Sequence, residues 1–401
     1  MANNLLTISK ITNEALMVLE NELTFSSEVD RNYDDQFAVV GGKIGNTVNV
    51  RRPGRFIGTT GPALNVEDFN ETSVPVTLST QFHVDTQFTT ADLALSLDMF
   101  SDRVLKPAVA AVANKIDRDG LTMAALQTAN IVGTAGAYLD AEGAPRDGRR
   151  ACIVEPFTSA TIVDSLKGLF MPQEAIAEQY RKGLMGRDSA GTNWKLDQNV
   201  VSQTFGSYSG NTLSADTTAQ VGYLSTGWSQ YSTIQIKAST SSTLNAGDVI
   251  QIAGVYATNP QNRQAYGSGK LRNFVVQSTT TVGTSATNIT VAPAVIIGGQ
   301  FQNSIIIGST STTAVVTPFN NTGTLSPQNM LFHRNAFTLA VADLELPEGV
   351  HFAGRASDKE VGLSMRVVRQ YTINNDSIPT RLDVLYGWAP LYQELACRIA
   401  A

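Results

Sequence analysis

Cysteine is scarce in this chain: Cys152 and Cys397 are the only two in 401 residues. Two thiols exclude a framework of several bridges and leave open a single long-range one. Histidine is almost as rare, at His83, His333 and His351. No H-E-x-x-H occurs, and zinc finds no ligand cluster at a usual spacing. No metal and no cofactor is therefore expected. Charge is thin as well: 16% of residues are Asp, Glu, Lys or Arg, against roughly a quarter in ordinary domains. The formal net charge of −6 excludes the basic excess that tight binding to phosphates requires. An acidic wall can still enclose nucleic acid without gripping it. No apolar run reaches the ~18 residues of a membrane span. No apolar segment of signal-peptide type follows the first ten residues.

Enzymatic signatures are missing too. Gly269-Lys270 looks like the end of a phosphate loop, but Gln264 stands where the first Gly belongs and Leu271 where Ser or Thr would hold magnesium. Gly41-Gly42-Lys43-Ile44-Gly45 is not a dinucleotide fingerprint. A nucleophile elbow is absent. Asp34-Asp35 sits in polar sequence, where paired carboxylates are solvated and not catalytic. The chain reads as no enzyme.

What is present is an order of parts. Ile8, Ile11, Ala15, Val18 and Leu19 recur at helical spacing and predict a helix over residues 3–24. A polar stretch, Gly-rich at its end, predicts an extended arm over 26–45. Thr47-Val48-Asn49-Val50 alternates as a strand does, and so does the run from Thr72 to Phe88. Pro75 confines that second run to an edge. Together they predict a two-stranded loop with a polar tip near 58–70. Val104, Leu105, Ala108, Val109, Val112, Ile116, Met123 and Leu126 form one stripe and predict a helix over 98–127, with a start or kink at Pro107. Residues 159–170 and 172–179 read as shorter helices.

Composition then shifts. Residues 211–330 hold six charges, at Asp216, Lys237, Asp248, Arg263, Lys270 and Arg272, and none follows Arg272 within that stretch. Its Ser, Thr, Gly, Val and Ile alternate in short runs, which predicts a β barrel or sandwich. Mixed sequence returns after 330. Met365–Tyr371 and Arg381–Tyr386 alternate on either side of Asn374-Asn375-Asp376-Ser377, a long β-hairpin. The β segment therefore reads as inserted into an α+β host.

The sharpest charge feature is Arg51-Arg52-Pro53-Gly54-Arg55. It is a solvated basic turn or one half of a subunit contact, with nucleic-acid binding a distant third because only Phe56 interleaves it as an aromatic platform. The other half would be an acidic patch such as Glu67, Asp68 and Glu71.

This order of parts resembles the coat proteins of tailed bacteriophages, in particular the podovirus type with an insertion domain. Pro107-Ala108 and Ala113-Asn114-Lys115-Ile116-Asp117 look like that family's spine helix. Glu155-Pro156 through Gln179-Tyr180-Arg181-Lys182-Gly183 look like its A-domain, and Arg381-Leu382-Asp383-Val384-Leu385-Tyr386-Gly387 like its closing strand. Gly247-Asp248-Val249-Ile250, Gly254-Val255-Tyr256, Asn259-Pro260 and Asn273-Phe274-Val275-Val276 resemble its insertion domain. The resemblance implies an N-arm at 1–45, an E-loop at 46–90 and a P-domain with its spine helix at 91–130. It implies an A-domain part at 131–210, an inserted β domain at 211–330, and an A-domain return with the P-domain hairpin at 331–401. It implies a major capsid protein, assembling as pentamers and hexamers into an icosahedral shell around double-stranded DNA in the host cytoplasm. The partners it implies are a portal protein, a scaffolding protein and a possible decoration protein. Only about 45 residues precede the loop, so the scaffold is expected to be a separate chain. No Lys occurs between Lys43 and Lys106, so the loop-lysine crosslink of some members is not expected. The rival reading from the Ser/Thr-rich middle is a tail component or a secreted adhesin.

Overall fold

The computed structural model describes residues 15–19, 22–31, 46–89, 104–129, 135–166, 191–208, 212–216, 227–266, 269–306, 313–319, 323–358 and 363–400. The chain packs into two compact units. One holds Met1–Val50, Val74–Gly120 and Phe337–Ala389, and the other holds Arg51–Ser73, Leu121–Ala336 and Pro390–Ala401.

The first unit is organised by residues 106–120 of the helix Lys106–Gln127, which is about 33 Å long at 1.5 Å per residue. Pro107 falls in its first turn, where a missing N–H costs nothing. Ala108, Val109, Val112, Ala113 and Ile116 are buried as the stripe predicts. The expected extension over 98–103 lies outside the described residues. Ahead of the helix in sequence, residues 15–19 are helical and bury Ala15, Leu16 and Leu19. The remainder of that predicted helix, apart from residues 22–24, lies outside the described residues.

The arm expected from residue 26 does not begin as an extended segment. Ser26–Glu28 form a 3-10 turn folded onto the carboxylate of Asp117. That carboxylate accepts the backbone N–H of Thr24 (2.7 Å), Phe25 (3.2 Å) and Ser26 (3.0 Å), and the Ser26 hydroxyl. Phe25 then packs between Phe337 and Trp388, with ring centroids 6.1 and 5.3 Å away. Gly120 makes room for this. A Cβ there would lie 2.5 Å from the Trp388 ring and 2.8 Å from Phe25.

The hairpin forms where the alternation placed it. Leu363–Arg369 pairs antiparallel with Ser377–Pro390, Arg366 opposite Asp383 and Arg369 opposite Thr380. Asp383 is fully buried and is satisfied by the Arg366 fork and by Gln81 Nε2 at 3.0 Å. Tyr386 and Trp388, on the long strand, hold the helix. The Tyr386 hydroxyl donates to Asp119 at 2.6 Å and the Trp388 indole N–H donates to the Ile116 carbonyl at 3.2 Å.

The run from Thr72 to Phe88 is two strands and not one. Thr72–Thr77 pairs with Thr47–Arg52, whereas Thr80–Thr89 pairs with residues 377–386 of the long strand. The break follows from a close backbone approach. A Cβ at Gly387 would lie 2.1 Å from the Thr77 carbonyl oxygen, so only glycine lets the chain pass between the two ladders.

In the second unit, Ala396–Ala400, Leu325–His333, Arg150–Val154 and Asn193–Leu196 form one sheet in that order, and Ser202–Thr204 also pairs with Leu325–His333. Leu331 faces Cys152 on one side and Cys397 on the other. The two cysteines are thus two strand spacings apart, about 10 Å, and a disulfide cannot span that distance. The bridge that the composition left open does not form in this fold. The helix expected over 159–170 appears as Pro156–Leu166, because Pro156 suits a first helical position. The one expected over 172–179 lies outside the described residues.

The nearly charge-free stretch forms a barrel. Leu213–Asp216, Ser232–Ala238, Thr287–Ala292, Leu271–Val276, Val249–Ala257 and Thr313–Pro318 pair in an antiparallel ring. It closes because Val249–Ala257 pairs with both Leu271–Val276 and Thr313–Pro318. That strand shifts register between Gln251 and Tyr256, and Gly254 within the shift has φ +86°, a value that favours glycine. After the shift it also takes Ser304–Ile306 as a partner. Ile234, Ile236, Ile250, Ile252, Phe274, Val276, Ile289 and Val291 fill the interior. Closure removes the open edges that make a strand-rich chain aggregate. In sequence, the barrel strands fall between Ser202–Thr204 and Leu325–His333, which are neighbours in the other sheet.

Candidate assembly surface

Residues 53–71 form a loop without regular structure, and its tip is not polar. Leu64 is 91% and Val66 78% exposed. Phe56, Ile57 and Phe69 are also largely exposed. Isolated exposed apolar side chains are ordinary, but five within fourteen residues make this loop the candidate contact surface. Alternation at the strand level says nothing about a loop, which is why the pattern misjudged it.

The loop is nonetheless built. The Glu67 carboxylate accepts the N–H of Ile57 at 2.7 Å and of Gly58 at 2.5 Å. Phe56 and Phe69 stack with centroids 5.8 Å apart, over Gly54, where a Cβ would meet the Phe69 ring at 2.4 Å. Two barrel side chains reach the loop backbone. Arg263 donates to the Phe56 carbonyl at 2.9 Å and Gln300 Nε2 to the Asp68 carbonyl at 2.6 Å.

The arginine cluster is divided between two carboxylates. Arg51 pairs with Glu71 of its own chain at 3.4 Å, with both side chains well exposed, so the pair contributes little. Arg52 is not a solvated turn residue. Its side chain is 10% exposed and bonds Glu394 at 2.5 Å. Its guanidinium lies over Tyr392 at 4.5 Å and over Trp228 at 5.3 Å. Arg55 reaches the same carboxylate at 3.5 Å. Burial pushes the Glu394 carboxyl up, but Arg52, a backbone N–H and Arg55 together more than offset this and hold it below the usual range. The structure thus brings Arg52 and Arg55 together on Glu394, and Arg51 with Glu71. Glu67 closes the loop, and Asp68 contributes its carbonyl. Glu394, Tyr392 and Trp228 carry no sequence signal, because they lie far along the chain from Arg52.

A second buried polar cluster joins the barrel to the sheet. Asp248 accepts the N–H of Asn245 (2.8 Å) and Gly206 (3.1 Å) and the Gln203 amide (3.2 Å). Arg398 donates to Gln203 Oε1 (3.2 Å), Gln328 Oε1 (3.1 Å) and the Gly247 carbonyl (2.9 Å). Gln203 therefore stands between a buried anion and a buried cation. A cavity of about 160 Å³ beside the helix Ala135–Ala141 is lined by Tyr138, Tyr266 and the Glu142–Arg272 ion pair. Arg272 occupies the carboxylate there, and the Lys270 ammonium, which also lines the cavity, lies over the Tyr138 ring at 4.6 Å. Among the described residues no group of His, Cys, Asp and Glu is placed to hold a metal, and no helix is long and apolar enough to cross a membrane.

A closed barrel, a helix held by a long hairpin and an exposed apolar loop define an α+β protein with no catalytic constellation among the described residues. Residues 1–396 match the model of the family described as P22 coat protein, gene protein 5, and the chain belongs to that family. It is a phage coat protein, a structural component of the virion shell. The tail and adhesin readings are set aside by that membership. No curated protein sequence matches the chain. Among solved structures it is similar to one from Mycobacterium phage Che8, with a TM-score of 0.44, 11% identity and 94% of this chain covering 90% of that one. It is also similar to the capsid of Ralstonia phage GP4, with a TM-score of 0.45, 8% identity, and coverage of 94% and 88%.

Proposed function

We propose that the loop at 53–71 is the surface by which one copy of this coat protein holds the next. The supporting observation is the exposure of Leu64 and Val66 on a loop whose backbone is fixed from within. In this reading the copies form pentamers and hexamers that close around double-stranded DNA. Arg51, Glu71 and Asp68, at the loop's exposed rim, add polar contacts to an apolar centre. The barrel acts as an inserted domain spanning residues 211–330. The protein catalyses nothing. Assembly takes place in the host cytoplasm with a separate scaffolding protein and a portal protein, and a decoration protein can bind the finished shell.

Leu64→Asp together with Val66→Asp is expected to slow shell formation at least tenfold, read by light scattering and negative-stain microscopy. The melting temperature of the unassembled subunit should stay within about 2 °C, since exposed positions contribute little to the fold. Shells forming at the normal rate would refute the docking role. Small discrete oligomers from the unaltered protein would refute shell assembly itself.

Assembled particles run on a denaturing gel should give only the monomer band, with or without reductant. The loop offers no lysine for an isopeptide, and both cysteines are buried and too distant to bridge each other. Covalent ladders in either lane would contradict this.

A further inference from the structure

The apolar loop is useful to an assembling subunit only if it points the same way in every copy. A free nineteen-residue loop would have to be ordered at each contact, at a cost in conformational entropy for every residue fixed. The structure contains a device that avoids most of this cost.

Arg52 stands at the root of the loop, where the strand Thr47–Arg52 ends. Three groups hold its guanidinium. Glu394 takes the charge at 2.5 Å, Tyr392 lies on it at 4.5 Å and Trp228 at 5.3 Å. Glu394 and Tyr392 belong to the turn just before the last strand, Ala396–Ala400, and Trp228 to the segment leading into the barrel strand Ser232–Ala238. That turn is tied down in turn. Gln393 donates to Gln127 at 2.6 Å, and the N–H groups of Leu391 and Tyr392 donate to the Ala336 carbonyl at 2.9 and 3.1 Å. The loop root is therefore fastened to a rigid seat by a charged hydrogen bond and two ring faces, each strengthened by exclusion of water. Farther out, Arg263 and Gln300 fasten the two arms of the loop through backbone carbonyls. Those two contacts do not depend on which side chains the loop carries. The direction of the loop is thus set by the subunit alone.

We propose that Arg52 is a positioning residue for assembly. Clamped by Glu394, Tyr392 and Trp228, it aims the 53–71 loop before a neighbouring copy is met. This rests on the reading of the loop as the docking surface. Arg52 touches no partner in this scheme. It acts through the loop, and its loss should change how fast copies join while leaving the fold in place.

The test uses a reporter on the loop. Ala63 is exposed, and Cys152 and Cys397 are buried, so a label on Ala63→Cys reports loop motion selectively. In unassembled subunits, Arg52→Gln and Glu394→Gln are each expected to raise the mobility of the label, read by spin-label line shape. Each should also slow assembly at least fivefold. The double variant should be no worse than either single one, because one link is being cut twice. Arg52→Lys, which keeps the charge but not the fork, should fall between. Thermal melting distinguishes positioning from folding and should move by less than about 3 °C. Unchanged label mobility in both single variants overturns the proposal. So does greater mobility with an unchanged assembly rate. If the unaltered protein forms no shells, the docking reading fails, and the mobility measurement still decides whether the clamp aims the loop. Should Arg52→Gln not fold, Glu394→Gln and Arg52→Lys carry the same decision.

Discussion

Replacing Asp117 by Ala is expected to cost the first unit roughly 3–5 kcal/mol, a change on the order of 10 °C in melting temperature. The carboxylate is 1% exposed and receives three backbone N–H groups and one hydroxyl from Thr24, Phe25 and Ser26. Alanine leaves the N–H groups of Phe25 and Ser26 buried without an acceptor, and each unsatisfied donor costs about 1–3 kcal/mol. The loss extends beyond hydrogen bonds. Phe25 is seated against Phe337 and Trp388 by that turn, so its ring is released as well. Asp117→Asn keeps an acceptor oxygen and should recover part of the loss. Urea unfolding of the unassembled subunit, followed by circular dichroism, measures both. A change below about 1 kcal/mol for the alanine variant would show that the turn is held by its apolar contacts alone.

The second large effect is a pH dependence centred on Asp248. Burial pushes its carboxyl up to about 6 from 3.8, and the N–H donors of Asn245 and Gly206, with Arg398 and Gln203, only partly offset it. The sign follows from proton counting. Between pH 3.8 and about 6 the folded chain holds a proton that the unfolded chain has released. Stability therefore falls as pH rises through that window, by about 3 kcal/mol in all. Two other groups face the cluster. Arg398 is held down to about 10 by burial, and Tyr208 is raised out of the physiological range by burial and by Asp248 itself. Neither titrates between pH 4 and 7. Asp140 is held down to about 2, chiefly by its hydrogen bond from Arg146, and acts with the opposite sign only below that window. Unfolding free energies at pH 4.5 and 7, for the parent and for Asp248→Asn, test the assignment. The parent should lose stability on going to pH 7, and the variant should show a clearly flatter profile. A parent that gains stability over that interval would refute it.

Much of the architecture was legible in residue order. The stripe from Val104 to Leu126 marks a helix because buried faces repeat every 3.6 residues, and the helix Lys106–Gln127 follows it. Alternation around Asn374-Asn375-Asp376-Ser377 marks the hairpin, and the strands pair there. The scarcity of charge after residue 211 marks a run of short β strands, since a barrel interior excludes charge and its short strands favour Ser, Thr and Val.

Partnerships across long separations were not legible. Nothing near Arg52 points to Glu394, and nothing near Asp117 points to Ser26. A charged side chain in isolation reads as solvated, and only packing shows that Arg52 is enclosed by two rings. The barrel was one of two options, because closure depends on a single strand meeting partners on both sides around Gly254. The two cysteines were an open question until register placed Leu331 between them. Local periodicity follows from the geometry of one helix or strand and so is written along the chain. Which strand meets which, and which charge is buried, depends on contacts between residues hundreds of positions apart. That is why composition and order established an assembly protein of α+β type, while the clamp that aims its loop emerged only from the folded structure.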